Sequence, residues 1–340
     1  MSLADLFFKS ALQLMMQVNH FEAQYFNIAG FNVRIACLMP QMSELIFPAF
    51  SHLQVLPCKE DFSIYVLCQQ NMPYPLKLLS GYQQNLGTRG EVAHLSNKDI
   101  QTIYNHHDGA FNLIHLEQNI GIYWVRSVAH MPWWIAGSPL QRIIACWMRA
   151  QGLELTHAAA VANQHAAILL AGKSGSGKST TTLSCIDSGL FCLSEDYCLI
   201  DMKTQAQVFS IYNSFKLEPS SLLRFPHYAR YAVNQARAPH EKALMFQHDI
   251  HPRQLCKVRP IKAIVSLKIG KKTTLEPCHP GVNTLALAAS SIFQLSASTQ
   301  ATLTRYKNLC LEKDCYQLIL GPDKKENVRQ LKQLLGEPYS

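Results

Sequence analysis

Charged residues are scarce in this chain: they make up 16% of its 340 residues, whereas hydrophobic residues make up 48%. That balance excludes an intrinsically disordered protein, because disordered chains combine low hydrophobicity with high charge. Internal repeats and low-complexity tracts are also absent. The length suits two domains of ordinary size, each able to bury its own core.

Long apolar runs are lacking as well. Stretches such as 285–293 are broken by polar residues and fall short of the roughly 20 residues that cross a bilayer. The first residues contain no basic region followed by an apolar core, so no signal peptide is expected. We therefore expect a cytoplasmic protein with no membrane partner.

The 11 cysteines lack the spacing of a ligand set, since none belongs to a C-x-x-C pair. Their odd number does not suit a complete disulfide framework. Cys278 and His279 are adjacent, but no second couple stands at ligand spacing, so a zinc site is not expected. Reduced, mostly buried thiols are the expectation.

Acids are few between residues 224 and 262, where only Glu241 and Asp249 face eight basic residues. Such a stretch attracts phosphate groups or an acidic partner surface, although a solvated basic loop is the alternative. Nucleic acid is not an expected partner, because no helix-turn-helix, RNP-type or zinc-finger pattern accompanies the charge. The basic residues are Arg224, Arg230, Arg237, Lys242, Arg253, Lys257, Arg259 and Lys262.

The sequence GKSGSGKS at residues 172–179 matches the pattern G-x-x-x-x-G-K-[ST]. An apolar run over 166–171 precedes it, and a helix-like run over 180–188 follows it. A strand, a glycine-rich turn and a helix N-terminus in this order indicate a phosphate loop, because the main-chain amides then point together at an anion. We therefore predict that the protein binds a nucleoside triphosphate.

Within this loop, Lys178 is expected to reach the β and γ phosphates, and the Ser179 hydroxyl is expected to ligate Mg²⁺. The predicted nucleotide-binding residues are Gly172, Lys173, Ser174, Gly175, Ser176, Gly177, Lys178, Ser179 and Thr180.

Two carboxylates, Glu195 and Asp196, follow the next apolar strand at 190–193. In such folds this position lies beside the phosphate loop, where one carboxylate can hold Mg²⁺ directly or through water. An exposed turn is the alternative explanation for two adjacent acids.

Strand-like segments and turn signals dominate residues 1–130. We predict strands over 25–37, 62–68, 111–116 and 120–125. His106 and His107 precede an Asp-Gly turn and are expected to be solvated loop residues. No catalytic motif occurs in this N-terminal domain, which we expect to be mostly β or α+β.

Residues 131–340 indicate a mixed α/β domain. The segment 139–150 carries apolar residues at helical spacing and is expected to pack beneath the nucleotide domain. A strand over 154–161 and the strand over 166–171 are expected to form a hairpin. Further strands are predicted at 197–201, 243–247, 262–269 and 315–320, and helices at 282–293, 300–311 and 324–335.

His157, the phosphate loop and the Glu195-Asp196 pair together resemble the HPr kinase/phosphorylase family, whose core is related to that of the ATP-dependent phosphoenolpyruvate carboxykinases. The runs 156–161, 194–197 and 210–217 look more closely like the HPr kinase-like proteins of bacterial gene clusters, some of which are lasso-peptide precursor kinases. The resemblance covers about residues 130–340. It implies an α/β fold in which a P-loop kinase core at residues 131–340 follows, in the sequence, the N-terminal domain at 1–130.

By this resemblance the first acid takes the proton from a substrate serine, and the second binds Mg²⁺. Glu195 stands where the family has aspartate, and its extra methylene moves the carboxylate by about 1.5 Å, a displacement that can cost ~10²-fold in rate. Asp196 is therefore the firmer metal ligand and Glu195 the hypothetical base. His157 is expected near the phosphates.

The same resemblance suggests that Lys216 and Glu218 complete the metal or phosphate shell. Lys242, Arg237 and Arg259 are candidates for stabilising the transferred phosphoryl group, and the residues leave the choice open. The C-terminal signature and the N-terminal domain of true HPr kinases are not recognisable, so HPr itself and the reverse phosphorylase reaction are not expected. HPr kinases form hexamers, which makes a homo-oligomer a possible state.

These patterns predict a kinase that uses ATP and Mg²⁺ to phosphorylate a hydroxyl group on a small protein or peptide, with serine as the expected acceptor residue. Two alternatives stay open: a small-molecule kinase or carboxykinase-like phosphotransferase, and a catalytically weak ATP-binding switch protein.

Overall fold

The chain folds as two units, and the first of them ends at Gln151. The computed structural model describes residues 1–18, 20–72, 86–202, 205–292 and 300–337. The division falls later than the boundary near residue 130 that the sequence pattern suggested, so the helix predicted at 139–150 belongs to the first unit.

The first unit combines a mixed sheet with helices, as an α+β organisation requires. Its helices and strands are α1 (Leu3–Met16), β1 (Glu22–Ile28), β2 (Phe31–Cys37), α2 (Pro40–Ile46), β3 (Gln54–Val55), β4 (Phe62–Cys68), β5 (Ile100–Asn105), β6 (Ala110–His115), β7 (Ile120–Val125) and α3 (Gln141–Ala150). Short 3₁₀ helices lie at Phe47–Leu53, Gln69–Asn71, Ala93–Leu95, Val128–His130 and Trp133–Gly137. Across the sheet, the described strands follow the order β3-β1-β2-β4-β7-β6-β5.

The single strand predicted over 25–37 is a hairpin. Ala29 and Gly30 both have left-handed backbone, with φ of 52° and 90°, and Ile28 pairs with Phe31 across the turn. Two positive φ values are what a tight two-residue hairpin turn needs. The apolar pattern continues through this turn, so it does not mark the point where the chain reverses.

Helix α3 belongs to the core of the first unit. The indole of Trp147 stacks on Phe62 with ring centroids 4.6 Å apart and meets the edge of Phe31. Its Nε1 donates a hydrogen bond of 2.9 Å to Oδ1 of Asn119. The sequence prediction placed this helix beneath the nucleotide domain, whereas its Trp147 is used in the core of the first unit.

The second unit is a mixed α/β fold, as the sequence predicted. Its elements are β8 (Leu153–Thr156), β9 (Ala159–Ala162), β10 (Ala167–Ala171), α4 (Lys178–Asp187), β11 (Phe191–Ser194), β12 (Cys198–Asp201), β13 (Gln207–Ser210), β14 (Ser214–Leu217), α5 (Pro219–Arg224), β15 (Ala243–Phe246), α6 (Gln247–Ile250), β16 (Val258–Ile269), β17 (Thr274–Pro277), α7 (Pro280–Ser291), α8 (Gln300–Glu312), β18 (Asp314–Leu320) and α9 (Lys324–Leu335). Short 3₁₀ helices lie at Pro226–Tyr231 and Pro252–Gln254.

The large sheet of this unit follows the order β11-β9-β10-β16-β13-β12-β8, with β18 beside β16 and β17 beside β18. Strands β9 and β10 form the predicted hairpin, whereas β10 and β16 run parallel. Strands β14 and β15 form a separate two-stranded ribbon. The helices predicted at 300–311 and 324–335 are present as α8 and α9, and the one predicted at 282–293 is α7, whose predicted last residue lies outside the described residues.

Side chains of β10 alternate between two helical layers. Ile168 and Leu170 belong to a core cluster that includes Leu331 of α9, whereas Leu169 belongs to a cluster that includes Leu287 of α7. Successive residues of a strand face opposite sides of the sheet, so the continuous apolar run of β10 is explained by helices on both faces. This central position fixes the end of β10, where the glycine-rich turn begins.

Among the described residues, no helix combines the length and the apolarity that a bilayer crossing requires.

Replacement of Trp147 by alanine should lower the free energy of unfolding of the first unit by about 3–5 kcal/mol, because a large buried ring leaves a cavity. The measurement is chemical denaturation followed by circular dichroism. Trp147→Phe should lose less, since it keeps a ring against Phe62. Trp134, which is 42% exposed, provides the control, and Trp134→Ala should cost less than about 1 kcal/mol. Equal losses for the two alanine variants would contradict this account of α3.

Candidate functional site

The glycine-rich turn at residues 172–177 connects the carboxyl end of β10 to the first residue of α4. Gly175 and Gly177 have left-handed backbone, with φ of 78° and 98°. A Cβ atom on Gly177 would lie 2.5 Å from Cδ1 of Leu320, so the turn also needs glycine for space. The N–H groups of a first helical turn have no partners within the helix, so the start of α4 is able to bind an anion.

The hydroxyl of Ser176 lies inside this turn. Its Oγ atom is buried and has no hydrogen-bond partner among the described residues. A buried hydroxyl without a partner is unfavourable by about 1–3 kcal/mol. The turn therefore contains a polar atom that a bound oxyanion would satisfy.

Lys178 is buried at the start of α4, and its Nζ donates hydrogen bonds to the carbonyl oxygens of Gly172 at 2.6 Å and Lys173 at 3.5 Å. Burial lowers the pKa of this lysine, while the Asp196 and Glu195 carboxylates oppose the shift. The ammonium group is thus held over its own loop, within the site rather than in solvent.

The other predicted residues of the loop divide by exposure. Lys173, Ser174 and Gly175 are exposed at its tip. On α4, the hydroxyl of Thr180 lies 3.4 Å from that of Ser221 in α5. The loop therefore has an open face, and α5 borders it.

Two neighbouring strands are interrupted opposite each other. The strand predicted over 154–161 is wrong as a single element: the chain leaves β8 at Thr156 and begins β9 at Ala159. Likewise residues 195–197 separate β11 from β12. Ser194 pairs with Ala160, and Cys198 pairs with Thr156, so the two interruptions face each other. The side chains at the interruptions are freed from the strict alternation of a strand and can converge.

Glu195 turns from this interruption towards the glycine-rich turn. Its Oε1 accepts a hydrogen bond from the hydroxyl of Ser179, whereas its Oε2 is buried and has no hydrogen-bond partner among the described residues. Burial, and next the charge of Asp196, raise the pKa of Glu195 to about 7. The sequence prediction that the acid pair adjoins the loop agrees with this contact.

Asp196 has a different environment. Its Oδ1 lies 2.6 Å from Nε2 of His157, and its Oδ2 lies 2.6 Å from Nζ of Lys216. Burial opposes the ionised form, but Lys216 and His157 outweigh it and hold the pKa of Asp196 well below its ordinary value. Burial also opposes the charge of Lys216, but Asp196 outweighs it and raises the pKa of this lysine.

His157 is fixed at the strand interruption by contacts with α7 and with Tyr197. Its main-chain N–H donates to Oγ of Ser291, its Nδ1 lies 3.0 Å from the carbonyl oxygen of Ser290, and its ring stacks on Tyr197. Both ring nitrogens face acceptors, so both contacts are hydrogen bonds only when each nitrogen carries a proton. The ring is thereby oriented between Ser290 and Asp196.

Sequence reasoning missed Ser290, Ser291 and Tyr197. The two serines end α7, and a contact with His157 spans 133 residues, so no local pattern indicates it. Tyr197 follows the acid pair directly, and its stacking on His157 depends on the opposed strand interruptions.

Lys216 and Glu218, predicted to complete the shell, take separate roles. Lys216 on β14 contacts Asp196, as described. Glu218 precedes α5 and forms an ion pair of 3.0 Å with Lys242, which precedes β15. Lys242 is close enough for its charge to contribute, after burial, to the lowered pKa of Lys178.

Arg259, a candidate for stabilising the transferred phosphoryl group, lies at the wrong end of the sheet. Its side chain donates to the carbonyl oxygen of Asn163, before β10, whereas Gly172 follows β10. A five-residue strand separates these ends by roughly 13–17 Å at 3.3 Å per residue. Arg237 donates to the carbonyl oxygen of Asn234, which leaves Lys242 as the candidate with an electrostatic link to the loop.

Sequence reasoning predicted Ser179 and Asp196 as the Mg²⁺ ligands, but it is Glu195 that contacts Ser179, while the two carboxylate oxygens of Asp196 lie against His157 and Lys216. Divalent magnesium takes oxygen ligands, commonly one or two carboxylates together with phosphate oxygens. Ser179 Oγ and Glu195 Oε1 are in contact, and the orphaned Oε2 adds a buried acceptor beside them. These oxygens fit a magnesium ion, which would supply positive charge next to the glycine-rich turn.

The stability of the protein without metal or nucleotide should fall as the pH rises from about 4.5 to about 7, because Glu195 keeps its proton in the folded state over this range. Glu195→Gln should remove this dependence and be more stable than the wild type by up to about 3 kcal/mol at pH 8. Thermal denaturation between about pH 5 and pH 8 measures the difference. The exposed acid Glu312 supplies the control, and Glu312→Gln should follow the wild-type profile. A pH-independent gap between the wild type and Glu195→Gln would contradict the prediction.

A scan of protein-family models and a search of curated proteins found no match for this chain. A search of solved structures returned, among its matches, the HPr(Ser) kinase/phosphatase from Coxiella burnetii. The two proteins are 10% identical, the match covers 54% of this chain and 93% of that one, and the TM-score is 0.29. A similarity of this size carries no argument about activity, so the function has to be inferred from the site.

Proposed function

We propose that this protein is an ATP- and Mg²⁺-dependent phosphotransferase that passes the γ-phosphoryl group to a hydroxyl group of a small protein or peptide. Serine is the expected acceptor residue. The observation that carries the proposal is the acid pair beside the start of α4: Glu195 contacts Ser179, and the adjoining Asp196 is held by His157 and Lys216.

The nucleotide site consists of residues 172–180. The main-chain amides of the turn bind the phosphates, the orphaned hydroxyl of Ser176 gains an acceptor, and Lys178 exchanges the carbonyl oxygens of its own loop for phosphate oxygens. Magnesium, when bound by Ser179 and the adjoining acid, neutralises part of the triphosphate charge. Two observations support this arrangement. Ser176 Oγ has no hydrogen-bond partner among the described residues, and Lys178 Nζ is bonded to carbonyl oxygens that phosphate oxygens can replace.

The transfer needs little covalent help from the protein. Its transition state is loose and spreads negative charge over the phosphoryl oxygens, so positioning and cations supply most of the catalysis. Lys178 is buried where the turn meets α4, and Lys242 lies close enough to act on it electrostatically. The acceptor oxygen bonds to the γ-phosphorus, the bond from that phosphorus to the bridging oxygen of ADP breaks, and the acceptor proton passes to a carboxylate of the pair.

A macromolecular acceptor is supported by the open face of the loop. Lys173 and Ser174 are exposed at the tip of the loop, and α5, which contacts α4 through Ser221 and Thr180, ends with the exposed Arg224. Basic side chains beside the loop suit an acidic segment next to the acceptor hydroxyl. The basic stretch 224–262 is not one surface, since Arg259 lies at the other end of β10, so docking is assigned to its first half.

Lys178→Met should reduce ATP-dependent phosphotransfer by about 10²-fold or more, since it removes a preorganised cation from the transferred group. The measurement is release of ADP in the presence of acceptor, with circular dichroism to verify folding. Lys307→Met, at an exposed position of α8, should leave the rate unchanged. Similar rates for Lys178→Met and the wild type would exclude the proposed role of the loop.

Incubation of the purified protein with γ-labelled ATP and fractionated lysate should place label on a protein or peptide. The label should withstand acid and be released by base, as expected for phosphoserine. Lys178→Met serves as the inactive control. Label recovered in metabolites would instead indicate a small-molecule kinase, and ATP binding without any transfer would indicate a switch protein.

A further inference from the structure

We propose that the two acids exchange the roles that the family resemblance assigns: Glu195 holds the divalent cation together with Ser179, and Asp196 receives the acceptor hydroxyl. This inference rests on the proposed function and deepens it, because it identifies which acid faces the metal and which faces the substrate.

The environment of Glu195 suits a metal ligand. The residue is 5% exposed, its Oε1 shares the Ser179 hydroxyl, and its Oε2 has no hydrogen-bond partner among the described residues. A buried carboxylate oxygen without a partner is strongly unfavourable. A hard cation that takes carboxylate and hydroxyl oxygens satisfies it.

Asp196 is unsuited to that role, because both of its oxygens already have close basic partners. The His157 ring lies on Oδ1 and the Lys216 ammonium on Oδ2, each at 2.6 Å. A divalent ion on this carboxylate would stand beside the fixed charge of Lys216, and like charges at such distances repel. The same two partners fix the orientation of the carboxylate.

Access favours Asp196 as the group that meets the acceptor. Its side chain is 22% exposed, so an acceptor hydroxyl can reach it from solvent. An ionised carboxylate offers about four lone-pair sites, and two remain after the contacts with His157 and Lys216. In a loose transition state the nucleophile needs orientation more than a strong base, so these two cations do not disqualify Asp196.

In this reaction, each bond that forms is matched by a bond that breaks. The acceptor hydroxyl donates its proton to a carboxylate oxygen of Asp196 while the acceptor oxygen bonds to the γ-phosphorus. The bond between that phosphorus and the bridging oxygen breaks, and its electron pair leaves with ADP. His157 and Lys216 touch Asp196 rather than the reacting atoms, so they are positioning residues.

Calorimetric titration with ADP, in Mg²⁺ and in EDTA, separates the two acids without measuring turnover. For the wild type we expect Mg²⁺ to tighten ADP binding about tenfold or more. Glu195→Gln should abolish most of this enhancement, and Asp196→Asn should retain it while losing phosphotransfer to the acceptor. The exposed-site variant Glu312→Gln should behave as the wild type, and circular dichroism verifies that each variant folds.

Loss of the Mg²⁺ enhancement in Asp196→Asn, together with its retention in Glu195→Gln, would overturn the exchange and restore the order implied by the family. A second variant keeps the proposal open to test if Glu195→Gln is poorly folded: Ser179→Ala should lose the enhancement as well, and an enhancement kept in Ser179→Ala would count against the proposal. Failure of the wild type to bind ADP would instead reject the proposed function itself.

Discussion

The opposed interruptions of two strand pairs are the constraint on which the site depends. Because β8 and β9 break at His157, and β11 and β12 break at residues 195–197, the side chains at these positions turn towards each other rather than alternating across the sheet. The carboxyl end of β10 lies at the same edge, since Leu170 pairs with Ala159 at the start of β9. Sheet topology therefore brings the loop, the histidine and the acids together before any ligand is considered.

Charge balance decides what these side chains can do once they are together. Two adjacent carboxylates would repel each other if both were ionised and unpartnered. Here Asp196 is surrounded by cations and ionises readily, whereas Glu195 is buried against Ser179 and holds its proton to near neutral pH. Environments that separate the pKa values of paired acids are typical of functional sites. The asymmetry within the pair gives the two carboxylates different chemical capacities.

Much of the second unit could be predicted from local patterns. The strand, glycine turn and helix around 172–179 could be predicted because positive φ at Gly175 and Gly177 and the apolar run of β10 are encoded within a few residues. The break at His157 could not, because no glycine or proline marks it: Leu155 and Thr156 precede the histidine, and Ala158 follows it. The position of α3 was also inaccessible, since an apolar stripe shows that a helix is buried but not against which sheet.

Long-range register accounts for the other difference. Arg259 belongs to a basic stretch in the sequence, but the parallel pairing of β16 with β10 carries it away from the loop. Net charge along a chain segment therefore says little about which residues share a surface. Lys242 lies nearer to the loop, because the pairing of β14 with β15 brings it opposite Glu218.

The attachment of His157 to α7 has a mechanical consequence. Its main chain and its ring are hydrogen-bonded to the consecutive residues Ser291 and Ser290, so the last turn of that helix is tied directly to the strand interruption. A displacement of α7 by a fraction of its pitch would therefore pull the imidazole away from Asp196. The pKa of Asp196, which this contact lowers, would then change.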